Sequence, residues 1–190
     1  MTAAHPADAA DVVPLDDATL VARARDGDVR AYEQLVRRYQ GPMYRLALRV
    51  LSGPSDAEDV VQEVFVVAWR RLDQLEDDGA FVGWLYRTTT NRCLNAIRAR
   101  RPVSDVDLEQ RAAPGSAGPG PIAETRATLE ALHRALRRLT PEQRACWLLR
   151  EVHGRSYDEI ARTIGTTATA VRGRIARARA QLAEVMAPWR

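Results

Sequence analysis

The run Ser156-Tyr157-Asp158-Glu159-Ile160-Ala161-Arg162-Thr163-Ile164-Gly165-Thr166-Thr167-Ala168-Thr169-Ala170-Val171-Arg172-Gly173-Arg174-Ile175-Ala176-Arg177-Ala178-Arg179 reads as two helices meeting at a tight turn. Ser156 stands three residues before Glu159, the spacing at which a hydroxyl and a carboxylate satisfy the free amides of a helix start. Gly165 suits the left-handed residue that ends one helix, and Thr167 suits the cap of the next. The spacing therefore predicts a short helix over 156–164 and a longer basic one over 167–186, which is the helix-turn-helix arrangement. At 100° per residue, Ala168, Val171, Ile175, Ala178, Leu182 and Val185 make one buried stripe. The opposite face carries Thr169, Gly173, Ala176, Arg177 and Ala180, with Arg172 and Arg179 on one flank and Arg174 on the other. Small residues let such a helix approach a groove floor, while guanidiniums reach phosphates or guanine edges. Gly173 gives up roughly 1 kcal/mol of helix propensity, a loss that close approach to a partner would offset. The bland reading is a solvated, arginine-rich helix of a bundle. Turn, cap and charge agree better on DNA.

Charge distribution supports that reading. The chain of 190 residues carries a net charge of only +3, yet residues 126–190 hold thirteen arginines against six acids. Concentrated positive charge attracts a polyanion where a uniform scatter does not. All 28 basic residues are arginine, for which biased codon usage competes with bidentate phosphate contact as the reason. A hydrophobic fraction of 46% with 28% charged residues is ordinary for a soluble globular chain, and the longest apolar runs are far too short to span a bilayer. Two cysteines and three histidines, scattered, leave almost no material for a disulfide framework or a zinc site. The reading is a protein of a reducing, cytoplasmic compartment, with no membrane contact of its own, no metal and no cofactor.

The remaining segments also read as helix, near 16–26, 28–40, 42–52, 55–75, 80–101, 124–139 and 141–152. Ser55-Asp56-Ala57-Glu58 and Thr140-Pro141-Glu142-Gln143 repeat the capping-box spacing, and Tyr32, Leu35, Val36 and Tyr39 repeat the helical period, as do Leu129, Leu132, Leu136 and Leu139. No segment alternates well enough for a strand. Pro102 to Pro121 breaks the pattern with four prolines and the run Pro114-Gly115-Ser116-Ala117-Gly118-Pro119-Gly120-Pro121. Such a tether spans roughly 25 Å on average and roughly 70 Å when extended. The expected fold is all-α: two small helical modules joined by a flexible Pro/Gly-rich linker, the C-terminal one a helix-turn-helix. The expected boundaries are a disordered tail over 1–15, a first module over 16–101, the linker over 102–123 and a second module over 124–190.

Two faces of the first module invite partners. Around the helix from Ser55, Ala57, Val61, Val64, Phe65, Ala68 and Leu72 face a core, and Asp59, Gln62, Glu63, Val66 and Arg70 face away. A valine among charges fits a protein contact, although a solvated face with one stray valine reads as well. Along 80–101, Val82, Leu85, Tyr86, Thr89, Cys93, Ala96 and Ile97 make the core stripe, opposite Trp84, Arg87, Thr88, Asn91, Asn95 and Arg98. An aromatic ring among arginines and amides can stack on an exposed base. A tryptophan that simply joins the core is the competing reading.

Taken together, Asp56-Ala57-Glu58-Asp59-Val60-Val61-Gln62-Glu63-Val64-Phe65 and Phe81-Val82-Gly83-Trp84-Leu85-Tyr86-Arg87, running on to Asn91, resemble region two of an extracytoplasmic-function (ECF) sigma factor. Leu139-Thr140-Pro141-Glu142-Gln143-Arg144, Ser156-Tyr157-Asp158-Glu159-Ile160-Ala161 and Val171-Arg172-Gly173-Arg174-Ile175-Ala176-Arg177-Ala178-Arg179 resemble its region four. The resemblance covers about residues 17–101 and 124–186. It implies an initiation subunit, not itself an enzyme, that brings core RNA polymerase to promoter DNA and is commonly restrained by an anti-sigma factor. It implies polymerase docking through Asp59, Gln62 and Glu63, and −10 reading by Asn91 in the company of Trp84, Arg87, Asn95 and Arg98. The loop holding Leu75 matches the part that receives a flipped base. Thr169, Arg172, Gly173, Arg174, Arg177 and Arg179 lie on or beside the −35 recognition helix.

Three departures bear on specificity. Leu75 stands where an aromatic is frequent, Thr88-Thr89-Thr90 replaces a more apolar stretch, and Thr169 and Gly173 replace a frequent Gly and Ser. Two rivals are a repressor or activator that never docks on polymerase, and a helical metalloenzyme using Glu58, Asp59 and Glu63. The metalloenzyme lacks the Glu-x-x-His pairs of a helical di-iron core.

Overall fold

The computed structural model describes residues 15–100 and 131–187. The expected linker over 102–123, the helix start over 124–130 and the tail up to residue 14 lie outside the described residues. Within them every regular element is helical, in two groups: α1 (Asp17–Arg25), α2 (Val29–Leu51), α3 (Pro54–Arg70) and α4 (Phe81–Ala99), then α5 (131–138), α6 (Pro141–Trp147), α7 (Tyr157–Ile164) and α8 (Ala168–Met186).

Side-chain caps mark most of the starts. Asp16 accepts from the Thr19 amide to open α1, and Asp28 accepts from the amides of Arg30 and Ala31 to open α2. Both capping boxes expected at Thr140 and Ser156 form, with Gln143 and Glu159 as the reciprocal partners. The box expected at Ser55 does not. Gly53 is the cap of α3 and Pro54 takes the first helical position, where its missing N–H costs nothing, so Ser55 already lies inside the helix. The expected helices 28–40 and 42–52 are one helix, α2, that runs through Pro42. Pro42 removes one helical hydrogen bond. Leu35, Met43, Leu46, Ala47 and Val50, all fully buried, continue one stripe across it, and that burial holds the helix together. The helix expected over 55–75 ends at Arg70 and gives way to a single tight turn at Leu72–Gln74.

In the first module, α2 packs against α1, α3 and α4. The expected stripe of α3 is buried throughout. On α4, Phe81, Thr90 and Leu94 are buried in addition to Leu85, Tyr86, Thr89 and Cys93, whereas Val82, Ala96 and Ile97 are only half-buried. Thr90 and Leu94 lie on a second side of α4, and that side faces the other module.

In the second module, α8 lays Val171, Ile175, Ala178 and Leu182 against α6 and α7, as its periodicity predicts. After Trp147 the chain widens into one π-helical turn, Leu148–Val152. Gly165 adopts φ 68°, ψ 49°, the left-handed cap that allows α7 to stop and turn within three residues. Both thiols are buried, Cys93 among the first module's helices and Cys146 on α6, and burial pushes them up to about 12 and about 11.

The modules pack directly on one another. The buried Arg144 guanidinium donates to the Val50 carbonyl at the C-terminal end of α2 (2.7 Å) and to Ser52 Oγ (3.2 Å). Its other nitrogen donates to the Arg137 and Leu139 carbonyls where α5 ends (both 3.3 Å). One cation thus serves the negative ends of two helices in different modules. Nearby, Tyr86 Oη and His153 Nδ1 share a hydrogen bond of 3.1 Å, and Arg155 lies 4.1 Å from the centre of the Tyr86 ring.

His153 gives this contact a pH dependence. Burial first, then the cations Arg49 and Arg45 of α2 and Arg155 of its own segment, push its pKa down to about 4 from an ordinary 6.5. The packed form therefore holds the imidazole neutral, and protons favour the released form. The contribution is complete above pH 6.5 and is lost as pH falls toward 4. The thermal midpoint, followed by circular dichroism between pH 7 and 4, should fall more steeply for the native chain than for His153→Gln.

Candidate nucleic-acid interfaces

Thr167 accepts from the Ala170 amide, so α8 starts cleanly just beyond the turn and presents its first two helical turns outward. Thr169, Arg172, Ala176, Arg177, Arg179 and Ala180 are all exposed. Arg172 is oriented by Tyr157, with its guanidinium 5.1 Å from the ring centre, while Arg150 takes the same ring at 4.6 Å. Arg179 pairs with Glu151 at 2.6 Å, a hydrogen bond that raises its pKa further. Arg174 departs from the expected open flank. It is half-buried and lines a cleft of about 370 Å³ with Arg98, Glu142, Gln143, Ile164 and Arg177. Its Nη1 atom is buried without a hydrogen-bond partner among the described residues.

Gly173 owes nothing to packing within the chain. A Cβ there would meet only the flexible Arg177 guanidinium, with Nη1 at an ordinary 3.5 Å and Nη2 at 4.0 Å. Gly173→Ala should therefore stabilise the helix by roughly 1 kcal/mol, read as a higher thermal midpoint. If the helix enters a groove, the same change weakens duplex binding, which a titration by fluorescence anisotropy measures.

On α4, Arg87, Asn95 and Arg98 are exposed, and Trp84 and Asn91 are half-buried. Trp84 is half-buried against the core, as the competing reading of that residue has it. Arg98 donates to Asn95 Oδ1 (3.2 Å) and pairs with Glu142 of the other module (3.5 Å). The loop after α3 is fastened by a residue that the local pattern does not flag. Arg25 donates to the carbonyls of Leu72 (3.2 Å) and Leu75 (2.9 Å) and pairs with Asp78 (2.5 Å). Leu75 itself is half-buried against the core.

The outward face of α3 is as expected: Asp59, Gln62, Glu63 and Arg70 are exposed and Val66 is 49% exposed. Trp69 extends the apolar part of this surface, its ring 4.8 Å from that of Tyr32. Glu63 is paired with Arg92, which fixes its carboxylate beside a shallow groove that Asp56, Asp59 and Asn95 also line. Among the described residues, no group of three His, Cys, Asp or Glu side chains is placed to hold a metal ion, and no helix is long and apolar enough to cross a membrane.

Known families match the two modules in turn. The sequence matches Sigma-70 region 2 over residues 35–103 and Sigma-70 region 4 over residues 129–182. It is 37% identical to the ECF RNA polymerase sigma-E factor of Escherichia coli K12, across 87% of this chain and 91% of that one. It is 34% identical to the RNA polymerase sigma-H factor of Pseudomonas aeruginosa, across 90% and 94%. Its structure superposes on CnrH, solved in complex with the cytosolic domain of CnrY, with a TM-score of 0.69 and 31% identity across 90% of this chain and 97% of that one. Similarity in fold extends to the sigma factor RpoE of Bartonella quintana, solved with the anti-sigma factor NepR, at a TM-score of 0.66 and 24% identity across 82% and 96%. Two helical modules, one with a capped helix-turn-helix and the other with a paired polar face on α3, and relatives that match along nearly their whole length lead to one assignment: this chain belongs to the ECF sigma factors of RNA polymerase.

Proposed function

We propose that the chain acts in the cytoplasm as a promoter-recognition subunit. It docks on core RNA polymerase through Asp59, Gln62 and Glu63. It reads the melted −10 element with Trp84, Arg87, Asn91, Asn95 and Arg98 beside the Leu75 loop. It holds the −35 duplex with Thr169, Arg172, Gly173, Arg174, Arg177 and Arg179, and an anti-sigma factor restrains it. The observation that carries this reading is the exposed row Thr169, Arg172, Arg177 and Arg179 on a capped helix-turn-helix, in one chain with the exposed face of α3.

The chemistry is binding, without bond making. Extruding a base from the duplex costs a few kcal/mol. Phosphate contacts from α8 and docking on polymerase offset that cost. The Glu63–Arg92 pair holds the docking carboxylate in place before the partner arrives, which lowers the ordering cost of association. Arg25 does the same for the carbonyls of the Leu75 loop.

Run-off transcription from a genomic library with purified core polymerase tests the reading, with permanganate footprinting of the promoters found. Transcripts that start at defined sites, with reactive thymines upstream, are expected. Specific duplex binding by the chain alone, with no transcription, would make it a repressor or activator instead.

A further inference from the structure

Three arginines converge on one cleft. Arg98 comes from the end of α4, while Arg174 and Arg177, three residues apart and so on one face, come from α8. The cleft holds about 370 Å³, within the range of small-molecule sites. Leu94 and Ile164 supply its apolar wall, and Thr140, Gln143 and Thr166 bring polar groups to its lining.

Against these three cations stands one carboxylate of the lining, Glu142, which pairs with Arg98 at 3.5 Å. Neither Arg174 nor Arg177 pairs with an acid among the described residues. Arg174 is half-buried, and its Nη1 atom is buried without a hydrogen-bond partner among those residues. A cation that has given up water on one side and gained no acceptor there favours an anion at the side still open. Guanidiniums meet phosphate oxygens through pairs of parallel N–H donors. Two uncompensated charges suit a ligand with at least two of its own, and so a phosphate chain better than a single carboxylate.

We propose that the cleft binds a small phosphorylated anion, either inorganic pyrophosphate or the diphosphate of a nucleotide. Arg174 and Arg177 take its oxygens, and Arg98 joins them when it turns from Glu142. The Gln143 side chain accepts from the Thr140 amide through its oxygen, which leaves its NH₂ group to donate to the ligand. The Thr140 hydroxyl accepts from the Gln143 amide and keeps its own proton to donate. An anion held in this way withholds Arg174 and Arg177 from nucleic acid, so ligand and duplex compete. That competition, unlike the site itself, rests on the function proposed above.

Isothermal titration calorimetry of the full chain with inorganic pyrophosphate, and separately with guanosine diphosphate, tests the site at fixed ionic strength. Saturable one-to-one binding is expected. Arg174→Gln and Arg177→Gln should each weaken it about ten-fold, and Glu142→Gln, which removes the opposing charge and frees Arg98, should tighten it. Arg37→Gln, which alters an exposed arginine paired within α2, should leave it unchanged. Tighter binding of the nucleotide would assign the site to nucleotides and the reverse to inorganic chains, and either result supports it. Far-UV circular dichroism confirms the helices, and the exposed Arg177 decides if the Arg174 variant fails to fold. No saturable binding of either probe, or equal affinity in the native chain and well-folded Arg177→Gln, would overturn the site. Pyrophosphate should also displace a labelled duplex, taken from a promoter found by transcription, more than sodium chloride does at equal ionic strength. Absence of that difference would overturn the competition. Pyrophosphate binding without any duplex binding or transcription would overturn the functional reading and leave the site standing.

Discussion

Arg144→Ala is expected to lower the unfolding free energy by about 3–5 kcal/mol, well beyond the loss typical of a single substitution. The guanidinium is 8% exposed and makes four hydrogen bonds, three of them to backbone carbonyls at helix ends. Truncation leaves those carbonyls facing a cavity, and it also removes a cation from the negative ends of α2 and α5. Burial, and the nearby charge of Arg137, lower its pKa. The group remains cationic at neutral pH nonetheless. Arg144→Lys should recover only part of the loss, since one ammonium cannot span both helix ends as a planar fork does. Urea unfolding followed by circular dichroism measures both changes. A loss below about 1 kcal/mol for the alanine variant would show that the four bonds are no better than those to water.

Arg172→Ala carries the second large expectation, a weakening of −35 duplex binding by about 1–3 kcal/mol with relaxed discrimination at one base pair. Tyr157 holds the guanidinium in place, so little entropy is lost when it meets a base edge. Arg179→Ala provides the contrast. Glu151 already neutralises and tethers that side chain, so its loss should weaken all sequences modestly and alike. Anisotropy titrations over a panel of promoter variants at fixed salt separate the two patterns. Equal, sequence-independent losses for both variants would assign Arg172 to the phosphate backbone.

The helix-turn-helix was legible because each of its parts is local. Ser156 and Glu159, Gly165, Thr167 and the stripe from Val171 to Leu182 lie within a few turns of their partners, and spacing alone displays them. The same holds for the α3 faces. Ser55 was misleading for the opposite reason: the capping spacing was present, but Gly53-Pro54 offered an earlier start at no cost. The break expected at Gly41-Pro42 was overridden by burial on both sides, which no local preference reports.

What the sequence hid is the seam between the modules and the fastening of the loop after α3. Arg25 and Arg144 look like solvated arginines until their acceptors are known, and those acceptors are backbone carbonyls about 50 and 94 residues away. A carbonyl has the same appearance in every residue, so no motif signals the pairing. Thr90 and Leu94 were missed likewise, because a helix buried on two sides breaks the single stripe on which periodicity depends.

The two thiols set a boundary on how the chain can sense its surroundings. Burial pushes both thiols well up from the ordinary range, so thiolate is scarce at Cys93 and Cys146 at neutral pH, and both sulfurs sit behind packed helices. Peroxides, nitrosating agents and electrophiles attack the deprotonated, accessible form, so they react slowly with Cys93 and Cys146 while the subunit is folded. Neither thiol is therefore placed to register an oxidative alarm before the helices around it open.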